Sequence, residues 1–170
     1  MTGLLLQNLR HRTAKGLLLC GLLFMTGCGP SDNQMDFQKL PQGGWPLGTP
    51  VRFNISVQDS LRPHSVWLTL RHTNEYPFSS IYLITTLSHP NGSVITDTLS
   101  YDLAAPNGLW LGTGNALITQ ELLYKKNVRF HTSKAYTLSV YQSVRELGAQ
   151  KGLSVLPAVT EVGYRLAPSE

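Results

Sequence analysis

Alternation of apolar and polar residues is the feature of this 170-residue chain that most restricts its fold. In residues 51–58 (VRFNISVQ) every second residue is apolar, which predicts a strand with one buried and one solvated face. Further strands are predicted at 65–72, 80–88, 93–101, 116–124, 128–131, 136–142 and 159–166. Many short strands separated by turn residues predict an all-β fold, an antiparallel β-sandwich that is either immunoglobulin-like or jelly-roll-like.

Local signals between these strands predict turns rather than helices. The sequence HPNGS at 89–93 predicts a hairpin, because Asn-Gly suits a type I′ turn in which both central residues have positive φ. Residues 121–126 and 144–150 permit one helical turn each, but both are too short for helix to be the default.

The N-terminus consists of a basic segment through Lys15, an apolar segment at 16–24, and the sequence Met-Thr-Gly before Cys28. The apolar segment is shorter than the roughly 20 residues of a membrane-spanning helix, so it predicts a secretory signal peptide. MTGC resembles the lipobox of bacterial lipoproteins, which implies cleavage before Cys28 and lipid attachment to its thiol. A plain signal peptide with a chance cysteine is the alternative.

The other cysteine, Cys20, follows two leucines that are too large for this kind of cleavage site, so we expect it to be discarded with the signal peptide. A chain that begins at Cys28 has no second thiol for a disulfide.

The net charge also changes when the signal peptide is removed. The full chain has 14 Lys and Arg residues, and the chain that begins at Cys28 has 11, because it lacks Arg10, Arg12 and Lys15; both have 10 Asp and Glu residues. The near-neutral remainder argues against nucleic acid as a partner.

Length and composition predict one domain behind a leader. With 42% apolar residues, the chain can fill one core. We expect a signal peptide at 1–27, a lipidated flexible tether at 28–48 that is rich in Gly, Pro, Ser and Gln, and a sandwich domain at 49–170. Gly29 rather than Asp follows Cys28, which favours sorting to the outer membrane.

Residues 76–114 and 141–166 resemble the GldH family of gliding motility lipoproteins of the Bacteroidetes. The resemblance is carried by N-x-Y-P-[FY]-S at 74–79, PNG-x-V-x-TDTL at 90–99, WLGTG at 110–114 and V-G-x-R-[IL] at 162–166. It implies a lipid-anchored envelope protein of the gliding machinery that works beside type IX secretion. Other gliding or secretion envelope proteins would be its partners, and the family implies no catalytic activity.

Motifs for catalysis or metal binding are not found in the sequence. It has no G-x-S-x-G, P-loop, G-x-G-x-x-G, H-E-x-x-H or EF-hand pattern. His64 and His72 have the same parity on one strand, but no carboxylate lies at ligand spacing, so we predict no metal site and no cofactor. Asp97 and Asp102 have opposite parity, which predicts two solvated edge residues rather than a catalytic pair.

The loop at 104–115 is the most individual segment, with Trp110 and Leu111 between glycines. Trp110 either closes one end of the sandwich or, with Leu111, contacts a partner, since Trp is enriched at interface hot spots. We therefore predict a non-enzymatic, membrane-anchored component of the gliding machinery. The alternative function is a surface glycan-binding or nutrient-uptake lipoprotein that presents this aromatic loop to sugars.

Overall fold

The computed structural model describes residues 33–57, 61–131 and 135–169, and within these ranges the chain forms strands and loops without any helix. The strands are β1 (Gln34–Lys39), β2 (Trp45–Pro46), β3 (Val51–Ile55), β4 (His64–Thr73), β5 (Ser80–Ser88), β6 (Val94–Asp102), β7 (Leu117–Val128), β8 (Tyr136–Gln142), β9 (Val155–Leu156) and β10 (Val159–Pro168). The predicted all-β fold is confirmed. Within the same ranges, no helix has the length and apolarity needed to cross a membrane.

Eight of the strands form a two-sheet sandwich. Sheet 1 has the order β1-β10-β4-β7 and sheet 2 the order β3-β8-β5-β6, with every pairing antiparallel. The two-residue strands β2 and β9 form a separate small ribbon. Apart from the β5–β6 hairpin, each connection between successive long strands crosses from one sheet to the other. This topology is a jelly roll, which decides between the two kinds of sandwich that the sequence allowed.

Side chains from the inner faces of both sheets make the core. The alternation in β3 is confirmed, since Val51, Phe53 and Ile55 are buried and the residues between them are exposed. The Phe53 ring lies 5.1 Å from the ring of Tyr164 in the opposite sheet. Full burial of such large side chains stabilises the fold by roughly 1.5–3 kcal/mol each.

The predicted tether is wrong for residues 34–48, which belong to the folded body. Strand β1 pairs with β10 from Gln34↔Leu166 to Lys39↔Glu161, and Trp45 is fully buried. One of its glycines, Gly44, is needed for close packing. Gly44 has φ +107°, and a Cβ there would lie 2.4 Å from the Leu156 carbonyl oxygen.

The predicted β5–β6 hairpin is confirmed, but its type I′ turn is wrong. Gly92 N–H donates to the His89 carbonyl at 2.9 Å and His89 N–H donates to the Ser93 carbonyl at 2.8 Å, which leaves a three-residue loop. Gly92 has φ +88°, whereas Asn91 has a negative φ. Pro90 holds the first central position at negative φ, which favours a type I turn followed by a glycine bulge.

Strand β7 is continuous where the sequence predicted two strands and a helical turn. Its pairing with β4 shifts register twice, near His64/Val66 and Val66/Trp67. Such bulges add residues on one strand and interrupt the alternation from which strands are predicted. The second permitted helical turn, at 144–150, is a loop between β8 and β9.

The strand register places the connecting loops at two opposite ends of the sandwich. Gln34 pairs beside Leu166, and His64 pairs beside Val128, so the chain enters sheet 1 at the end that holds the β5–β6 turn. The loops at 40–50, 74–79, 103–116 and 143–158 lie at the other end, which we call the loop end.

Candidate functional site

The loop at 103–116 is an ordered hairpin that covers part of the loop end. Ala104 pairs with Trp110, and Leu111 N–H donates to the Leu103 carbonyl at 2.8 Å. Ala105 N–H donates to the Leu109 carbonyl at 2.8 Å, which closes the tip. The backbone bonds therefore hold the two predicted site residues in a defined position.

Trp110 and Leu111 have different environments. The Trp110 ring is half-buried against the core and lies edge-on to the His72 ring, with the centroids 4.6 Å apart. Its centroid is also 6.3 Å from that of Tyr76. Leu111 is 59% exposed and Leu109 is 67% exposed. Trp110 thus closes the end of the core, while the leucines on either side of it face solvent.

Two glycines let this loop lie directly on β7. Gly114 has φ +120°, and a Cβ there would lie 2.0 Å from the Leu117 carbonyl oxygen. At Gly112 a Cβ would lie 2.6 Å from the Thr119 carbonyl oxygen. Between them, Thr113 and Thr119 exchange backbone hydrogen bonds of 2.9 and 2.8 Å. The loop therefore adds a short cover to the outer edge of β7.

His72 is buried beneath Trp110. Its Nδ1 donates to the Thr73 carbonyl at 2.9 Å, so Nε2 is the acceptor nitrogen, and it has no hydrogen-bond partner among the described residues. Burial lowers the pKa of His72, and the Thr73 carbonyl offsets this only in part. The imidazole is therefore neutral near pH 7 and acts as a packing group against the aromatic rings.

The outer edges of β6 and β7 are joined by side chains. The Tyr124 hydroxyl donates to Asp97 Oδ2 at 2.8 Å, and Lys125 Nζ lies 2.9 Å from the same oxygen. Burial raises the pKa of Asp97, but the hydrogen bonds from Lys125 and Tyr124 and the Lys125 charge outweigh it and lower the pKa overall. The Tyr101 hydroxyl donates to the Leu123 carbonyl at 2.8 Å, and burial raises the pKa of Tyr101 to about 12.

These contacts correct the prediction that Asp97 is a solvated edge residue. Sequence parity did place Asp97 and Asp102 on different faces, and it did so correctly, since Asp97 pairs opposite Thr85 and Asp102 opposite Ser80. Parity within one strand contains no information about the opposite sheet. The partners Tyr124 and Lys125 could not be found before the sandwich topology was known.

A groove runs between the two joined edges at the loop end, with a volume of about 740 Å³. We call it the edge groove. Its apolar lining is Tyr101, Leu111, Leu122 and Leu123, and its acidic lining is Asp102 and Glu121. Leu111 was predicted from the sequence as a possible partner contact, and it lies in this groove. The other apolar lining residues were not predicted as site residues.

A second groove of about 710 Å³ lies where the 143–152 loop meets the outer face of sheet 2. Tyr82, which is 47% exposed, lies on one side of it. Arg145, Glu146 and Gln150 lie on the loop side, and Leu147 at the tip of the loop is fully exposed. We call it the tyrosine groove.

Metal-ligating residues are not gathered in the part of the chain that the structure describes. No group of three or more His, Cys, Asp or Glu side chains there could hold a metal ion. His64 and His72 do share the inner face of β4, as parity predicted, but they are eight residue steps apart along the strand, a distance of about 26 Å. Cys28, the predicted lipid attachment site, lies outside the described residues.

Comparisons with known proteins extend over nearly all of the described chain. The family model described as GldH lipoprotein matches residues 33–166. The chain is 37% identical to the gliding motility lipoprotein GldH homolog of Christiangramia forsetii over 127 residues, covering 74% of this chain and 78% of that protein. It is 32% identical to the gliding motility lipoprotein GldH of Flavobacterium johnsoniae over 152 residues, covering 89% and 94%.

Among solved structures, the infectious bursal disease virus VP2 subviral particle is similar with a TM-score of 0.34 and 15% identity, covering 81% of this chain and 31% of that one. That level of similarity says nothing about function. The family match, in contrast, includes strands from both sheets, the loop of Trp110 and both joined edges. The chain belongs to the GldH lipoprotein family.

Proposed function

We propose that this protein is a non-enzymatic interaction component of the gliding motility machinery, works beside type IX secretion, and is anchored to the outer membrane through lipid on Cys28. The observation that carries the proposal is the match to GldH lipoproteins over residues 33–166, because it spans the whole sandwich. Relatives whose names state gliding motility match most of the chain at 32% and 37% identity.

A non-enzymatic role is supported by how the titratable side chains are used. His72 packs against rings, and Asp97 joins the two sheets through Tyr124 and Lys125. On sheet 1, Arg165 donates to Glu121 at 2.8 Å. Each of these groups has a structural partner, which leaves it less available as a catalytic acid or base.

Exposed apolar side chains at the loop end support an interaction role. Leu47, Leu109, Leu111 and Leu147 lie at this end with exposed side chains, which makes them available to a protein partner.

Deletion of the gene in a gliding host tests the proposal. We expect loss of colony spreading, which the wild-type gene restores. Normal spreading of the deletion strain, with normal secretion of type IX cargo, would refute the role in this machinery.

The glycan-binding alternative has one structural observation in its favour. The tyrosine groove presents the half-exposed ring of Tyr82 beside Arg145, Glu146 and Gln150, a combination suited to stacking on and hydrogen bonding to a sugar. Trp110, in contrast, has its ring against His72. A glycan array with the full chain tests this alternative, and binding that is lost in Tyr82→Ala but kept in Trp110→Phe would favour it.

A further inference from the structure

Strand β6 (Val94–Asp102) is an outer strand of sheet 2 whose second edge has no strand partner among the described residues. It pairs with β5 over nine residues without a register shift, and it contains no proline, lysine or arginine. Edge strands of soluble proteins are usually kept from pairing by shortness, bulges, proline or outward charge. On its outer face, Thr96, Thr98 and Ser100 present neutral hydroxyl side chains, and the one charge on that face is Asp102 at the end of the strand.

The other three outer strands are short, or bulged and covered, whereas β6 is long and regular. The charged residues of β6 are Asp97, which contacts Tyr124 and Lys125, and Asp102 at the end of the strand. Strand β3 spans five residues, and β1 spans six and contains Asp36 and Lys39. Strand β7 is bulged, and its edge is covered by Thr113 and by the Tyr101 hydroxyl. Within the described residues, β6 is therefore the long, regular edge that is open to another strand.

Two hydrogen bonds show which backbone groups of β6 face this edge. His89 N–H donates to the Ser93 carbonyl at 2.8 Å at one end of the hairpin, and Leu103 N–H donates to the Ser79 carbonyl at 2.7 Å at the other. Antiparallel pairs alternate between hydrogen-bonded and non-hydrogen-bonded positions. The N–H and C=O groups of Thr96, Thr98 and Ser100 therefore point away from β5.

We propose that β6 is the docking site of an extended segment from a partner protein, which adds a fifth strand to sheet 2. A row of outward N–H and C=O groups about 4.8 Å from a neighbouring strand is the pattern that an extended polypeptide satisfies. This assignment rests on the proposed function as an interaction component and names the surface that performs it.

The edge groove defines the side chains of the partner segment. It lies at the Asp102 end of β6, where alternate side chains of an added strand contact Tyr101 and Leu111. Apolar side chains fit these walls. Acidic side chains are disfavoured, because Asp102 also lines the groove. Glu121 contributes less to this, since Arg165 is paired with it. The partner segment is therefore extended, apolar at alternate positions and free of acidic residues there.

A second copy of this chain fits the edge less well than a different protein. Asp97 of a second β6 strand occupies the same alternate positions as Ile95, Leu99 and Tyr101. The partner segment, in contrast, is free of acidic residues at its alternate positions.

Random dodecapeptides displayed on phage, selected against the full chain in detergent, provide the probe. Selected peptides are then synthesised, and their affinity is measured by fluorescence polarisation. Thr98→Pro removes an outward N–H without breaking a bond to β5, so we expect at least a tenfold loss of affinity. Thr98→Val keeps the backbone and the side-chain volume, and we expect its affinity to stay within twofold.

A second pair of variants gives an answer even if Thr98→Pro does not fold. Leu111→Asp places a charge in the edge groove, whereas Leu109→Asp places one on the same loop outside the groove, and both side chains are exposed. We expect at least a tenfold loss of affinity for the first and less than a twofold change for the second.

Other results overturn the docking site. They are failure to select any peptide, equal binding to Leu111→Asp and Leu109→Asp, binding to Thr98→Pro as strong as to Thr98→Val, or a concentration-dependent dimer that Thr98→Pro dissolves. A colony-spreading assay tests the proposed motility function independently of the peptide-binding measurements. A deletion strain that spreads normally refutes the motility role, while loss of peptide binding on Thr98→Pro still supports the edge as a docking site.

Discussion

At the scale of single residues, His72 links the folded state to pH. Burial lowers its pKa below the ordinary value of 6.5, so the folded chain binds fewer protons than the unfolded chain. The stability that follows from neutral His72 is fully present above pH 6.5 and is lost as the pH falls from 6.5 through the folded pKa.

We therefore expect the free energy of unfolding to fall between pH 7 and pH 5, and to fall less steeply in His72→Gln. Urea unfolding at several pH values measures this difference, and the comparison at pH 8 gives the cost of the substitution alone. An identical pH slope in the two proteins would mean that His72 does not contribute.

Gly114 is the residue at which the loop of Trp110 tolerates least change. At φ +120° any side chain strains the backbone, and a Cβ would lie 2.0 Å from the Leu117 carbonyl oxygen. We expect Gly114→Ala to lower the free energy of unfolding by about 3 kcal/mol or more, since backbone strain and a clash add. Gly108→Ala is the control, because Gly108 also has positive φ but lies in open space. It should cost about 1 kcal/mol, and equal losses would contradict this account.

At the scale of elements, β1 and the buried Trp45 make residues 34–48 part of the domain. A chain that begins at residue 33 should unfold cooperatively with the stability of the full sandwich. A chain that begins at residue 49 loses the pairing with β10 and the fully buried Trp45. Loss of such a Trp side chain alone costs about 3–5 kcal/mol, so this shorter chain should be largely unfolded or aggregated. Circular dichroism and thermal unfolding distinguish the two, and equal stability would restore residues 28–48 as a tether.

The joined edges of β6 and β7 are a second element-scale feature. Tyr124→Phe and Asp97→Asn each remove part of one hydrogen-bonded contact. A double-mutant cycle should therefore give a coupling energy of about 1 kcal/mol. Because the pKa of Asp97 is lowered, this stabilisation is present above the unfolded value near 3.8 and is lost as the pH falls through the folded pKa. Additive effects of the two substitutions at pH 7 would show that the contact does not join the sheets.

At the scale of the whole molecule, the proposed anchor and the sandwich are separable. We expect Cys28→Ser to abolish labelling with radioactive palmitate and to move the protein from the membrane fraction to the soluble fraction. The sandwich should keep its thermal stability, because its described residues contain no cysteine. Cys20→Ser is the matched control and should keep the label, whereas labelling of Cys28→Ser would contradict the proposal.

Local sequence patterns were sufficient to predict the all-β class, the alternation of β3 and the β5–β6 hairpin, and short motifs were sufficient to predict the family. These predictions depend on patterns such as period-two alternation or an Asn-Gly turn, which involve only residues that are close together in the sequence. The candidate site was predicted only in part. Trp110 and Leu111 stood out as residues of an unusual loop. The sequence of this loop was compatible with two roles for Trp110, either closing one end of the sandwich or contacting a partner.

Four features became known from the fold and not from the sequence. They are the jelly-roll order, the inclusion of residues 34–48 in the sandwich domain, the packing of Trp110 and the free edge of β6. These features depend on contacts between residues far apart in the chain, as when Gly44 packs on Leu156 or Asp97 accepts from Tyr124. A strand's own sequence shows which residues alternate, but not which strand lies beside it or whether its second edge is covered. The open edge of β6 is such a feature, because it depends on β6 being the last strand of sheet 2.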